Sequence, residues 1–69
     1  MKNFQERLLL CRNRMNKTQD EIAKEGGFGY RSYCRWERGE AEPTLSTLIK
    51  LADFFGVSLD YLSGRTDQP

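Results

Sequence analysis

Apolar side chains return along the start of the chain at Phe4, Leu8, Cys11 and Met15. Intervals of three and four residues put them on one face of a helix, so the pattern predicts a first amphipathic helix over about residues 2–15, ended by Asn16. Thr18, followed three residues later by Glu21, forms a capping box: the hydroxyl accepts from the Glu21 amide and the carboxylate reaches back to the Thr18 amide. A second helix starts there with Ile22 and Ala23 as its apolar residues. Gly26-Gly27 stops it after about two turns, because glycine costs about 1 kcal/mol inside a helix and suits the left-handed turn beyond one. From Tyr30 to Arg38 nothing breaks a third helix before Gly39, and Tyr33 and Trp36 stand three apart on one side of it. The stretch Glu40 to Thr44, with Pro43, reads as loop. Leu45, Leu48, Leu51, Ala52 and Phe55 predict a fourth helix from Leu45 to about Phe55, stopped by Gly56. Ser58 caps a last short helix with Asp60 in its first turn and Val57, Leu59 and Leu62 available to pack. The expectation is an all-α, five-helix domain over residues 1–64, closed by Gly64, with a flexible tail over 65–69.

At 69 residues the chain is near the smallest size at which one core outweighs chain entropy, which argues against a large catalytic cleft. Cys11 and Cys34 lie far apart and histidine is absent, so neither a zinc site nor a disulfide framework is expected, and a reducing, cytoplasmic setting fits. Charges interrupt the first residues throughout and no small-residue cleavage site follows, against a signal peptide or membrane span. No activated nucleophile, paired carboxylates or metal set stands out, so the expectation is a protein that is not an enzyme and uses no cofactor.

The net charge is only +1, but its distribution is uneven. Residues 1–38 hold nine basic and five acidic side chains, a balance of +4, and residues 39–69 hold two and five, a balance of −3. Such a dipole would turn its N-terminal half toward a polyanion. An ordinary solvated surface accounts for the charges equally well, so pattern has to decide.

The pattern is a two-turn helix, a glycine turn and a second short helix, the arrangement called helix-turn-helix, spanning about residues 18–38. Tyr33 and Trp36 face inward as core, leaving Tyr30, Arg31, Cys34 and Arg35 to face outward. Helical spacing alone suits a DNA reader and a protein-interaction bundle equally. A resemblance separates them. The run Thr18-Gln19-Asp20-Glu21-Ile22-Ala23, then Gly27, then Arg35-Trp36-Glu37-Arg38-Gly39, then Pro43, Leu45, Leu48, Leu51, Ala52, Gly56-Val57-Ser58 and Leu62 resembles the phage-repressor (Cro/C1, or Xre) helix-turn-helix family over residues 4–64.

The resemblance implies a compact, lambda-repressor-like domain that binds double-stranded DNA, commonly as a homodimer on a two-fold operator, and regulates transcription, typically as a repressor. It places Tyr30, Arg31, Cys34 and Arg35 at base edges. Arg31 and Arg35 are the readers to favour, since a guanidinium donates two hydrogen bonds to guanine O6 and N7. Thr18, Gln19, Ser32 and Arg38 fall at phosphate-contacting positions, and Arg12 and Glu37 match an internal ion pair tying the first helix to the third. The chain also departs from the family. Gly29 replaces a hydroxyl cap, Gly26 replaces an apolar residue whose volume Phe28 and Tyr33 can fill, Lys17 replaces an aliphatic residue, and Glu40 and Glu42 occupy a loop that is often basic. Tyr30 suits packing on the turn as well as contact with a thymine methyl or a phosphate, and Cys34 suits close fit better than a redox role. Leu9 and Leu10 extend the core or form a contact patch. Phe54 and Tyr61 are the candidates for a dimer contact. The rival reading is an antitoxin-like or anti-repressor module whose exposed helix binds another protein.

Overall fold

Helix ends leave backbone amides and carbonyls without intrahelical partners, and short polar side chains or left-handed residues relieve them at most of the boundaries in this chain. The computed structural model describes Met1 and residues 3–69. Its helices run α1 (Phe4–Met15), α2 (Gln19–Gly26), α3 (Tyr30–Glu37), α4 (Leu45–Phe55) and α5 (Leu59–Leu62). The expected start of the first helix near residue 2 touches Lys2, which lies outside the described residues. At α2 the capping box is complete: Glu21 N donates to Thr18 Oγ1 at 3.1 Å and Thr18 N to Glu21 Oε1 at 2.8 Å. Hydrogen bonding from Thr18, its backbone amide first, holds the Glu21 carboxyl below its ordinary pKa. Thr44 and Ser58 cap α4 and α5 by their hydroxyls alone, accepting from the amides of Thr47 and Tyr61. Asn16 ends α1 in the left-handed region. Gly27, at φ 74°, does the same for α2, where a Cβ would be strained. The start of α3 is different, because Gly29 offers no side-chain acceptor.

Each helix contributes one fully buried large side chain, Leu8, Ile22, Tyr33, Leu51 and Leu62 in chain order. At roughly 1.5–3 kcal/mol for burying a large apolar side chain, these residues hold the helices around a common centre. Phe4, Cys11, Ala23, Trp36, Leu48, Ala52 and Tyr61 complete the buried cluster. Burial also pushes the Cys11 thiol above its ordinary pKa, against the pull of Arg14 and Arg7.

Gly26 lies inside α2, and a Cβ at that position would overlap the Phe28 ring. Phe28 occupies the space a side chain at Gly26 would need, packing against Tyr33, Trp36 and Phe54. Gly26→Ala is therefore expected to lower the unfolding midpoint, although the same change in an open helix would raise it by helix propensity. Gly26→Ala combined with Phe28→Leu should recover part of that loss, because the smaller side chain vacates the overlap. An increase for Gly26→Ala alone would contradict this packing.

Two expectations are corrected. Leu45, assigned to the apolar stripe, is 66 % exposed, because α4 turns Leu48, Leu51 and Ala52 inward and Leu45 lies one turn ahead of that face. Tyr61, a candidate for a contact between copies, is only 3 % exposed, with the Arg7 guanidinium 4.2 Å above its ring, so the ring is unavailable to a second chain. Phe54, the other candidate for such a contact, is half-buried and packs edge-on against Phe28 and Phe55. After Gly64, Arg7 donates to Thr66 O at 2.7 Å and to Asp67 Oδ1 at 2.8 Å. Among the described residues no helix is long and apolar enough to cross a membrane.

Candidate nucleic-acid interface

Because Tyr33 and Trp36 are buried, the opposite face of α3 is forced outward, and Tyr30, Arg31, Ser32 and Arg35 are exposed on it. Arg31 and Arg35, four residues apart, share one side of the helix. Among the described residues neither is paired with a carboxylate. Together with Gln19, Tyr30, Cys34 and Arg38 they line a hollow of about 340 Å³ between the start of α2 and α3. Its rim is dominated by three guanidinium groups.

A buried polar network fixes α3 beneath this face. Glu37 accepts from Arg12 Nε at 2.7 Å, from Arg12 Nη2 at 3.1 Å and from Gln19 Nε2 at 3.0 Å. Arg12 Nη1 donates further to Lys17 O at 3.0 Å. The ion pair joins α1 to α3, and Gln19 joins α2 to α3. Burial pulls the Glu37 carboxyl upward, but the hydrogen bond from Arg12, with others behind it, outweighs burial and holds the pKa below the ordinary range. Arg12 is shifted up by the same hydrogen bond. Tyr33 brings its hydroxyl near Glu37 without completing a hydrogen bond, and burial followed by the adjacent carboxylate pushes the phenol upward.

Cys34, expected at base edges, is corrected to an internal position. It is 6 % exposed, and its Sγ donates to Gln19 Oε1 at 3.3 Å, so α2 covers it. Thr18 is exposed, with its hydroxyl already accepting from the Glu21 amide, which leaves its own hydrogen free to donate. Arg38 caps the end of α3 and meets Glu40, Nε to Oε2 at 2.9 Å. Ser32 borders a second hollow of about 220 Å³ on the other flank of α3, shared with Gly27, Phe28, Trp36, Thr47 and Lys50. Sequence reasoning missed Thr47 and Lys50 as neighbours of α3. The available signal was that Lys50 is one of only two basic residues in the acidic half of the chain.

The family model described as helix-turn-helix matches residues 8–62. The chain is 44 % identical over 62 residues to the cryptic phage CTXphi transcriptional repressor RstR of Vibrio cholerae, covering 90 % of this chain and 55 % of that protein. It is 42 % identical over 59 residues to the SPbeta prophage-derived uncharacterized HTH-type transcriptional regulator YonR of Bacillus subtilis, covering 86 % and 55 %. With the HTH-type transcriptional regulator ImmR of Bacillus subtilis the identity is 34 % over 61 residues, covering 88 % and 48 %. The chain thus spans about half the length of these curated relatives. No solved structure matches it. The matched span contains all of α2, the Gly27 turn and α3 with its exposed arginines, and on that ground the chain belongs to the phage-repressor type of helix-turn-helix family.

Proposed function

We propose that this chain binds double-stranded DNA sequence-specifically, with α3 in the major groove, and represses transcription. The observation that carries the reading is the pair of exposed guanidinium groups, Arg31 and Arg35, side by side on α3 with no acidic partner among the described residues. A major groove about 12 Å wide admits such a helix, and each guanidinium matches the two acceptors on a guanine edge. Tyr30, 51 % exposed at the start of α3, faces a thymine methyl or a phosphate. Thr18, Gln19, Ser32 and Arg38 donate to backbone phosphates on the flanks and fix the register. The repressor role is supported by the name of the Vibrio cholerae relative.

The test is selection of bound duplexes from a random pool, followed by salt titration of the winners. The expected result is a recurrent guanine-containing site, with log affinity falling linearly against log salt by about 0.9 per phosphate neutralised. Two-fold symmetry in the recovered site is expected of two copies bound together. Failure to enrich any duplex, or a flat salt response, would instead favour a module that binds another protein.

A further inference from the structure

We propose that Glu40 sets how strongly this surface holds DNA by occupying Arg38 in the free protein, an inference that rests on the DNA-binding reading above. Arg38 lines the same hollow as Arg31 and Arg35 but differs from them in its company. After α3 the chain turns through Gly39, and Glu40 N donates to Arg35 O at 2.9 Å, which folds the carboxylate back over the end of the helix. Both carboxylate oxygens then face the guanidinium, Oε2 at 2.9 Å from Nε and Oε1 at 3.4 Å from Nη2. The other acid of this loop, Glu42, is paired with the Met1 amino group, so Glu40 is the loop carboxylate directed at the α3 surface.

A phosphate reaching Arg38 has two courses. It displaces Glu40, which costs the existing pair, or it shares the guanidinium and places its own charge beside the carboxylate. Either course weakens every duplex to a similar degree, because phosphates carry no sequence information. Glu40 is thus an affinity-setting residue, and Arg31 and Arg35 are left to discriminate between bases.

The experiment compares the full chain with Glu40→Gln, Arg38→Ala and the double variant on a selected duplex and on a scrambled one. The pair is exposed on both sides, and such pairs are weak. Glu40→Gln should therefore tighten binding to both duplexes by about two- to fivefold at 0.15 M salt, and steepen the salt slope by about 0.9. On the Arg38→Ala background the same substitution should give no gain, which is the signature of coupling between the two residues. Unchanged affinity and slope for Glu40→Gln, on a duplex the parent binds, would overturn the inference and leave DNA binding intact. A gain that persists without Arg38 would overturn it as well, assigning Glu40 to direct repulsion of phosphate. A parent chain that binds no duplex at all would instead remove the reading beneath it.

Discussion

Arg35→Ala is expected to cost about 1–3 kcal/mol of binding to the selected duplex and to relax the preference at one base pair. The guanidinium is exposed and no carboxylate among the described residues competes for it, so all of its donors are available to a guanine edge. Arg38→Ala serves as the contrast. Its loss should weaken matched and mismatched duplexes alike, because the proposed partner of Arg38 on DNA is a phosphate. Competition measurements on a panel of single-base variants of the site would separate the two. If Arg35→Ala and Arg38→Ala both act uniformly across the panel, Arg35 does not read a base.

Arg12→Ala should destabilise the fold by about 3 kcal/mol. The side chain of Glu37 is only 5 % exposed and that of Arg12 18 %, so losing the guanidinium leaves a carboxylate covered and poorly compensated. For a domain this size each kcal/mol moves the thermal midpoint by about 4–8 °C, which calorimetry resolves easily. The double variant Arg12→Met with Glu37→Leu should lie much closer to the parent, because replacing both charges removes the desolvation cost along with the attraction. The pair also dictates a response to acid. Its folded-state pKa being depressed, Glu37 contributes stability that is fully present well above the ordinary glutamate value of 4.5 and is lost as pH falls through the folded-state value. Melting curves from neutral pH down to about 3 should decline less steeply for Glu37→Gln than for the parent. A parent midpoint that stays flat through that window would mean the carboxylate gains nothing from folding.

Helix boundaries were legible wherever a local device sets them. The Thr18–Glu21 box, the Ser58 cap and the turns at Gly27 and Gly56 depend on residues a few positions apart, and each falls where the sequence places it. Burial was harder to read at helix starts and ends. Leu45 satisfies the helical period yet sits ahead of the packed face, a distinction periodicity does not contain. Tyr61 is covered by Arg7 from 54 residues away, and the same guanidinium reaches Thr66 and Asp67. Pairing across that separation leaves no trace in local spacing. The outward arginines of α3 were legible because Tyr33 and Trp36 dictate the inner face, whereas Cys34 lies at the border between faces. Its burial is decided by Gln19, a residue of the preceding helix.

Phe28 has ring contacts with Tyr33 and Trp36 of α3 and with Phe54 of α4, with centroids about 6 Å apart in each case. In place of a polar cap at Gly29, a cluster of aromatic rings packs the start of α3 against α4. The footing of Arg31 and Arg35 therefore includes a residue of α4, and trimming Phe54 is expected to loosen the base of α3 while leaving both guanidinium groups chemically unchanged.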